Sequence, residues 1–304
     1  MEPDNSDKPV SSLFGIELGE LSRPATVFVE RISDAIEGIA KPWQIVRVAK
    51  AEAKARRIEG ESEIEISDLQ RRALRRVLRQ EERKQRNIEN ITKRALPQLK
   101  EHADPSRVDD DWITHFFDTC GKVSDEQMQE LWSRVLAGEA NGPGTFSKRA
   151  VSLLATLDSE EAELFTCFRY LLWQGSQGQF FIIESAAIPK FWKFTFHFQA
   201  AKHHLQSIGL LDNNMVTYSV SKLLDMKFQY FDETYKFVRR AEIVPPPFGL
   251  ELIGGLTHLT AIGYQLMRLV ERKRFMGYAE AVMQEQATEL KLGFEQIADK
   301  NQSA

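Results

Sequence analysis

Arg71, Arg72, Arg75, Arg76 and Arg79 lie within nine positions of a 304-residue sequence. Guanidinium groups at that density suit phosphate chemistry, because each phosphate contact releases counterions and adds salt-dependent affinity. On a helix advancing 100° per residue the five fall at about 0, 100, 40, 140 and 80°, a single stripe. Leu69, Ala73, Leu74, Val77 and Leu78 centre on the opposite side. Charge is also segregated along the chain. Residues 47–100 hold 16 basic and 9 acidic residues, net +7, which leaves 24 against 35, net −11, elsewhere. Two other readings need no nucleic acid. In one, Asp68 with Arg72 and Glu82 with Arg86 pair at i,i+4 on a solvated face. In the other, the basic segment docks on the acidic remainder of a second copy. Carboxylates over 61–68 and at Glu81-Glu82 weaken any polyanion contact.

Catalytic and metal chemistry is not legible. His203 and His204 are adjacent and diverge by about 100° on a helix, His197 lies two turns from His204, and no H-E-x-x-H occurs. Asp109, Asp110 and Asp111, with Asp118, resemble a cation cluster, but carboxylates at a helix start are explained by the helix dipole. No phosphate-binding G-x-x-x-x-G-K-[ST] or nucleophile elbow is present, and Gly138, Gly142 and Gly144 follow no buried strand. Cys120 and Cys167 have no C-x-x-C spacing, so neither a disulfide framework nor a zinc ribbon is read. These residues predict no metal, no cofactor, no evident small-molecule substrate and a protein that is not an enzyme.

The elements that position these residues are mostly helices. At 34.9 kDa, surface scaling lets the chain bury close to three quarters of its extended area. Residues 1–12 are polar and read as a disordered leader. Val27, Phe28, Ile32, Ala35, Ile36 and Ile39 recur at helical spacing over 24–48. The polar face there holds Glu30, Asp34 and Glu37 against Arg31, so core packing or a partner helix is expected rather than a membrane. Trp43–Ile58 reads as a second helix. Ser67 with Gln70 makes a capping box for a helix from about Asp68 to Leu96, closed by Pro97 and about 43 Å long. Its middle, RQEERKQRN, is expected to project into solvent or meet a polar partner.

Short helices follow. One starts at Asp109–Asp111 and is capped by Gly121, and a second opens with Ser124 and Gln127. A turn is read over Gly138–Gly144, then a helix over Ser147–Leu157 and another opened by Asp158 with Glu161. Beyond Gly175 the chain mixes a run at Phe180–Ile183, a helix over Phe196–Ile208 and a turn at GLLDNN. Strands are read at Met215–Val220 and Lys227–Val238, with a hairpin tip at Asp232-Glu233. Pro245-Pro246-Pro247 is extended, and a final helix runs from Leu259 towards Leu292.

The segment from Asn87 to Phe168 carries a specific pattern: Asp111-Trp112, Val123-Ser124-Asp125-Glu126, Leu131-Trp132, Leu136-Ala137-Gly138-Glu139, Pro143-Gly144 and Phe146-Ser147. It resembles the bacterial domain of unknown function 2806 family over about a quarter of the chain. The LW and LAGE helix is also similar to helical modules of abortive-infection defence proteins. The resemblance implies no catalytic residue. Physical chemistry assigns Trp112 and Trp132 as core anchors, Pro143-Gly144 as a tight turn and Ser147 as a helix cap. Glu139 is the member that packing explains least, since a carboxylate near a helix C-terminus opposes the dipole unless it has a partner.

The expected whole is mainly α: a helical arm and a compact helical domain with a small C-terminal α+β winged-helix-like domain. Its divisions are 1–23 as leader, 24–100 as the arm with the long basic helix, 101–175 as the helical domain and 176–304 as the winged-helix-like domain. The expected function is a non-enzymatic interaction or regulatory protein of unknown process, with abortive-infection phage defence as one candidate, binding a protein partner or itself. The alternative is nucleic-acid binding by Arg71, Arg72, Arg75, Arg76 and Arg79 with the winged-helix-like module. With no signal peptide read at the N-terminus and no long apolar run, a cytoplasmic location is expected.

Overall fold

The computed structural model describes residues 12–13, 16–17, 21–32, 34, 68–192, 197–216, 218–240 and 255–297. The helix read over Trp43–Ile58, the Ser67 cap and the triple proline lie outside the described residues. By packing the chain forms two units, Met1–Thr156 and Leu157–Ala304. The change of composition near Gly175 therefore falls inside the second unit.

Within the stretch read as a leader, Ser12–Leu13 (β1) and Ile16–Glu17 (β2) pair antiparallel. Residues 23–32 and 34 are helical (α1), and Ala25, Phe28, Val29 and Ile32 are buried. That apolar face meets Val108, Trp112, Ile113 and Leu136, so this part of the amphipathic helix is core rather than a membrane surface. Arg31 donates to the Val108 carbonyl at 2.7 Å and pairs with Asp110 at 2.8 Å.

Helix α2 covers Asp68–Ala95, 28 residues and about 42 Å at 1.5 Å per residue. It ends one residue before the expected limit, because Pro97 disfavours the helical region at Leu96 and the chain tightens into a 3₁₀ turn over Leu96–Gln98. Its buried positions, Asn87, Ile88, Ile91, Thr92 and Ala95, all lie in the C-terminal part. Leu69, Leu74 and Val77, on the apolar side opposite the arginines, are 68, 46 and 39 % exposed. The projecting part is thus the first four turns and not only the polar middle.

Helices α3 (Asp110–Cys120), α4 (Glu126–Asn141) and α5 (Lys148–Leu154) complete the first unit. Asp109 caps α3 by accepting from the Trp112 amide at 2.8 Å, and Gly121 is its C-cap. At α4 the cap is Asp125, not Ser124: Asp125 accepts from the Met128 amide at 2.9 Å. The Ser124 hydroxyl accepts instead from Asn87 at 3.2 Å and ties α2 to the α3–α4 turn. Gly138 and Glu139, read as part of a turn, lie within α4, and the turn begins at Gly142.

The second unit holds α6 (Ser159–Tyr170), α7 (Phe198–Ser207), α8 (Val220–Asp225), α9 (Ala261–Leu266) and α10 (Tyr278–Glu289). Asp158 and Glu161 form both halves of the expected capping box on α6. The strands are β3 (Trp173–Gly175), β4 (Phe180–Ile183), β5 (Leu211–Val216), β6 (Phe228–Tyr230), β7 (Glu233–Val238), β8 (Leu256–Leu259) and β9 (Gly293–Ile297). They form one antiparallel sheet in the order β5-β8-β4-β3-β6-β7-β9. The α+β character is as expected, but seven strands make a larger sheet than a small module carries. Three readings are corrected. Leu211 to Asn214 is strand rather than turn, and Val220 starts a helix rather than ending a strand. The single final helix over Leu259–Leu292 is instead two, α9 and α10, preceded by β8 and followed by β9, with Gly277 at φ 75° before α10.

Candidate binding face on α2 and the motif-bearing core

The outer half of α2 displays both of its faces. Asp68 pairs with Arg71 at 2.6 Å and Glu81 with Lys84 at 2.7 Å, both at i,i+3. The expected i,i+4 pairs of Asp68 with Arg72 and Glu82 with Arg86 do not form. Among the described residues no carboxylate pairs with Arg72, Arg75, Arg76 or Arg79. All four are exposed, and with Gln80 and Arg83 they line an open hollow. Unpaired guanidiniums at this spacing can accept phosphate or carboxylate oxygens in forked pairs. Arg71, the fifth member of the stripe, is committed to Asp68.

The family-motif residues converge on one place in the first unit, where they do structural work. Trp112 stacks on Phe116 with ring centroids 5.1 Å apart, and Phe116 meets Trp132 at 5.3 Å. The Trp112 Nε1–H donates to the Phe146 carbonyl at 2.6 Å. Gly138 is where the Phe146 ring rests: a Cβ there would lie 2.7 Å from Phe146 Cε2. After Pro143, Gly144 takes φ 89°, which glycine adopts without strain. Ser147 then caps α5 by accepting from the Ala150 amide at 3.2 Å.

Glu139 finds its partner in this loop. Its side chain accepts from the Gly144 amide at 2.6 Å through Oε1 and from the Phe146 amide at 2.7 Å through Oε2. Burial pushes its pKa up from the ordinary carboxylate value, while the amides of Gly144, Phe146 and Thr145 pull the other way. The opposed dipole at the end of α4 is thereby answered by a ring of N–H donors from the following loop. Asp111, the remaining member, is exposed and shares the Lys148 ammonium with Asp109, at 3.4 and 3.7 Å.

Other reactive groups are accounted for by packing or by surface contacts. His197 accepts from the Gln199 amide at the start of α7, His204 meets Glu161 at 2.8 Å, and His203 is exposed. Burial raises the pKa of both cysteines, which disfavours thiolate reactivity. One constellation has no signature in the sequence: His115 Nε2 lies 2.9 Å from the Ser152 hydroxyl across α3 and α5. That hydroxyl also donates to the Lys148 carbonyl, and the contact is exposed, so it joins two helices at the surface. A second is a buried ion pair, Lys202 to Glu184 at 2.7 Å, with the Thr257 hydroxyl donating to the same carboxylate oxygen at 2.5 Å. It links α7 to β8 and to the residue that follows β4. Among the described residues no group of three or more His, Cys, Asp or Glu is placed to hold a metal ion. No described helix is long and apolar enough to cross a membrane.

These features define a helix-rich protein with an α+β second unit and a projecting arginine helix. A family model described as protein of unknown function (DUF2806) matches residues 71–283, and the chain belongs to that family. The match starts within the arginine stripe and ends within α10, so it takes in parts of both units. No curated protein and no solved structure matches the chain.

Proposed function

We propose that this protein is a non-enzymatic interaction or regulatory protein that holds its partner on the outer half of α2. The observation that carries this reading is the exposure of both faces of that half. Leu69, Leu74 and Val77 lie on one side and, on the other, four arginines that pair with no carboxylate among the described residues. A protein partner or a second copy of the chain would cover the apolar side, where burial is worth about 25 cal/mol per Å². Abortive-infection defence against phage is the process that the motif's likeness suggests. A cytoplasmic location accords with that process.

The arginine side supports a second reading, nucleic-acid binding. Its support is that Asp68 and Glu81 take Arg71 and Lys84, and no other described carboxylate pairs with the stripe. The winged-helix-like element would be α7, then Gly209 at φ 82°, then β5 paired with β8. The one lysine of α7, Lys202, is buried against Glu184 and is not open to a phosphate.

Light scattering and electrophoretic mobility shift over a salt series separate the readings. Leu74→Glu with Val77→Glu abolishes association if the apolar side holds a protein. Arg72→Gln, Arg75→Gln, Arg76→Gln and Arg79→Gln together flatten the salt dependence of duplex binding if the stripe contacts phosphates, by about 0.9 in slope for each phosphate no longer neutralised. An unchanged subunit number together with an unchanged salt slope would count against α2 as the binding element.

A further inference from the structure

Arg72, Arg76, Arg79, Arg83 and Arg86 form a straighter and longer row on α2 than the five arginines of the stripe. At 100° and 1.5 Å per residue they stand at about 0, 40, −20, 20 and −40° around the helix, at heights of about 0, 6, 10.5, 16.5 and 21 Å. Arg75 flanks the row at about −60°. All six are exposed, and no described carboxylate pairs with them. All but Arg86 line the open hollow, together with Gln80. The neighbouring acids are mostly engaged elsewhere: Asp68 pairs with Arg71, Glu81 with Lys84, and Glu89 accepts from Gln85. Glu82 stands exposed on one flank of the row, at about −80°.

Roughly one cation per helical turn along a straight line fits an anion that repeats along a line, which a polynucleotide strand supplies at about one phosphate per 3.4 Å of duplex axis. A membrane surface does not fit. A helix lying on anionic lipid turns its apolar side inwards, and here that side, with Leu74 at about 200° and Val77 at about 140°, would hold the arginines away from the headgroups. The floor of a major groove does not fit either. A groove about 12 Å wide borders a helix with phosphates on both flanks and with base edges between them. The outer half of α2 carries its row within one arc of about 100° and would turn Leu74 and Val77 towards the other strand's phosphates.

We propose that α2 lies along a single phosphate row of a nucleic acid, outside the grooves, and binds it without reading sequence. The proposal rests on the nucleic-acid reading of α2 and narrows it to one geometry. The guanidinium forks take phosphate oxygens of successive nucleotides. A row of about 21 Å spans about six nucleotides of one strand. Because one row suffices, a single strand is bound as well as a duplex.

The test is fluorescence anisotropy of the full chain with labelled oligonucleotides, three duplexes of unrelated sequence and one single strand, between about 50 and 200 mM salt. The duplexes should bind within about threefold of one another, since a helix that reads bases loses about tenfold or more at a wrong base pair. Five neutralised phosphates give a salt slope of about −4.5 on duplex and about −3.5 on single strand. Arg76→Gln and Arg83→Gln each reduce the duplex slope by about 0.9. Lys84→Gln, on the far flank at about 120°, leaves it unchanged, whereas a helix seated in a groove would lose a contact there too. Arg76 and Arg83 are exposed and have no described partner, so their variants keep the melting temperature of the free protein. A spread of more than about tenfold among the duplexes, or an equal loss of slope in Lys84→Gln, overturns the one-row contact while nucleic-acid binding by α2 stands. Polyglutamate bound as tightly as the oligonucleotides overturns the choice of a phosphate polymer. No binding of any oligonucleotide at about 50 mM salt overturns the proposal together with the reading it rests on.

Discussion

Replacing Glu139 tests whether the family motif is a device for locking one loop. The carboxylate is 3 % exposed and accepts two backbone N–H groups, at 2.6 and 2.7 Å. Glu139→Ala removes both acceptors. The Phe146 amide is buried and has no water to replace the carboxylate, which costs about 1–3 kcal/mol. The Gly144 amide belongs to an exposed residue, so water recovers part of its bond and the cost there is about 1 kcal/mol. The expected total is about 2–4 kcal/mol, a fall of roughly 4–16 °C in melting temperature for a unit of this size. Glu139→Gln keeps one acceptor and relieves a buried charge, so it should cost about half as much. The Phe146 carbonyl also holds Trp112, so unfolding followed by tryptophan fluorescence should show a native-state signal shifted in Glu139→Ala. A cost below about 0.5 kcal/mol for both variants, with an unchanged native spectrum, would refute the reasoning.

Further outcomes follow from other contacts. Gly138→Ala drives a methyl group to 2.7 Å from the Phe146 ring and should cost about 1–3 kcal/mol, read by urea unfolding. Lys202→Met leaves Glu184 buried without its cation and should cost about 3–5 kcal/mol, with Lys202→Met/Glu184→Leu recovering much of that stability. Burial lowers the pKa of His258, whose buried Nε2 has no hydrogen-bond partner among the described residues. The unfolded chain then takes up a proton near pH 6.5 before the folded chain does, so stability falls as pH drops from about 6.5 through the lowered folded value. The His258 ring proton should titrate below pH 6.5 by NMR, and His258→Phe should remove that part of the pH dependence.

Local signals were the legible ones. Asp109, Asp158 with Glu161, Ser147 and Pro97 act over three or four residues, and each marks a boundary the structure keeps. Ser124 and Asp125 are both good caps, and the choice between them depends on Asn87, 37 positions away from Ser124. The same reach explains the sheet. β8 has only four residues and finds its partners in β4 and β5, far along the chain, so no local alternation reveals it. On α2 the periodicity placed the two faces correctly, but only tertiary contact decides that burial begins at Asn87 and leaves Leu69 in water. Glu139 was visible as an anomaly because a carboxylate at that helix end needs a partner.

Site-specific photocrosslinking in cells expressing the full chain tests the central claim most directly. Crosslinkers replace Leu74 on the apolar side of α2, Arg75 on the arginine side, and Glu163, an exposed position on α6. Adducts of higher mass should form at position 74 or 75 and not at 163, with protein recovered from position 74 or nucleic acid from position 75. Adducts no more abundant at either α2 position than at position 163 would contradict the assignment of α2 as the element that holds the partner.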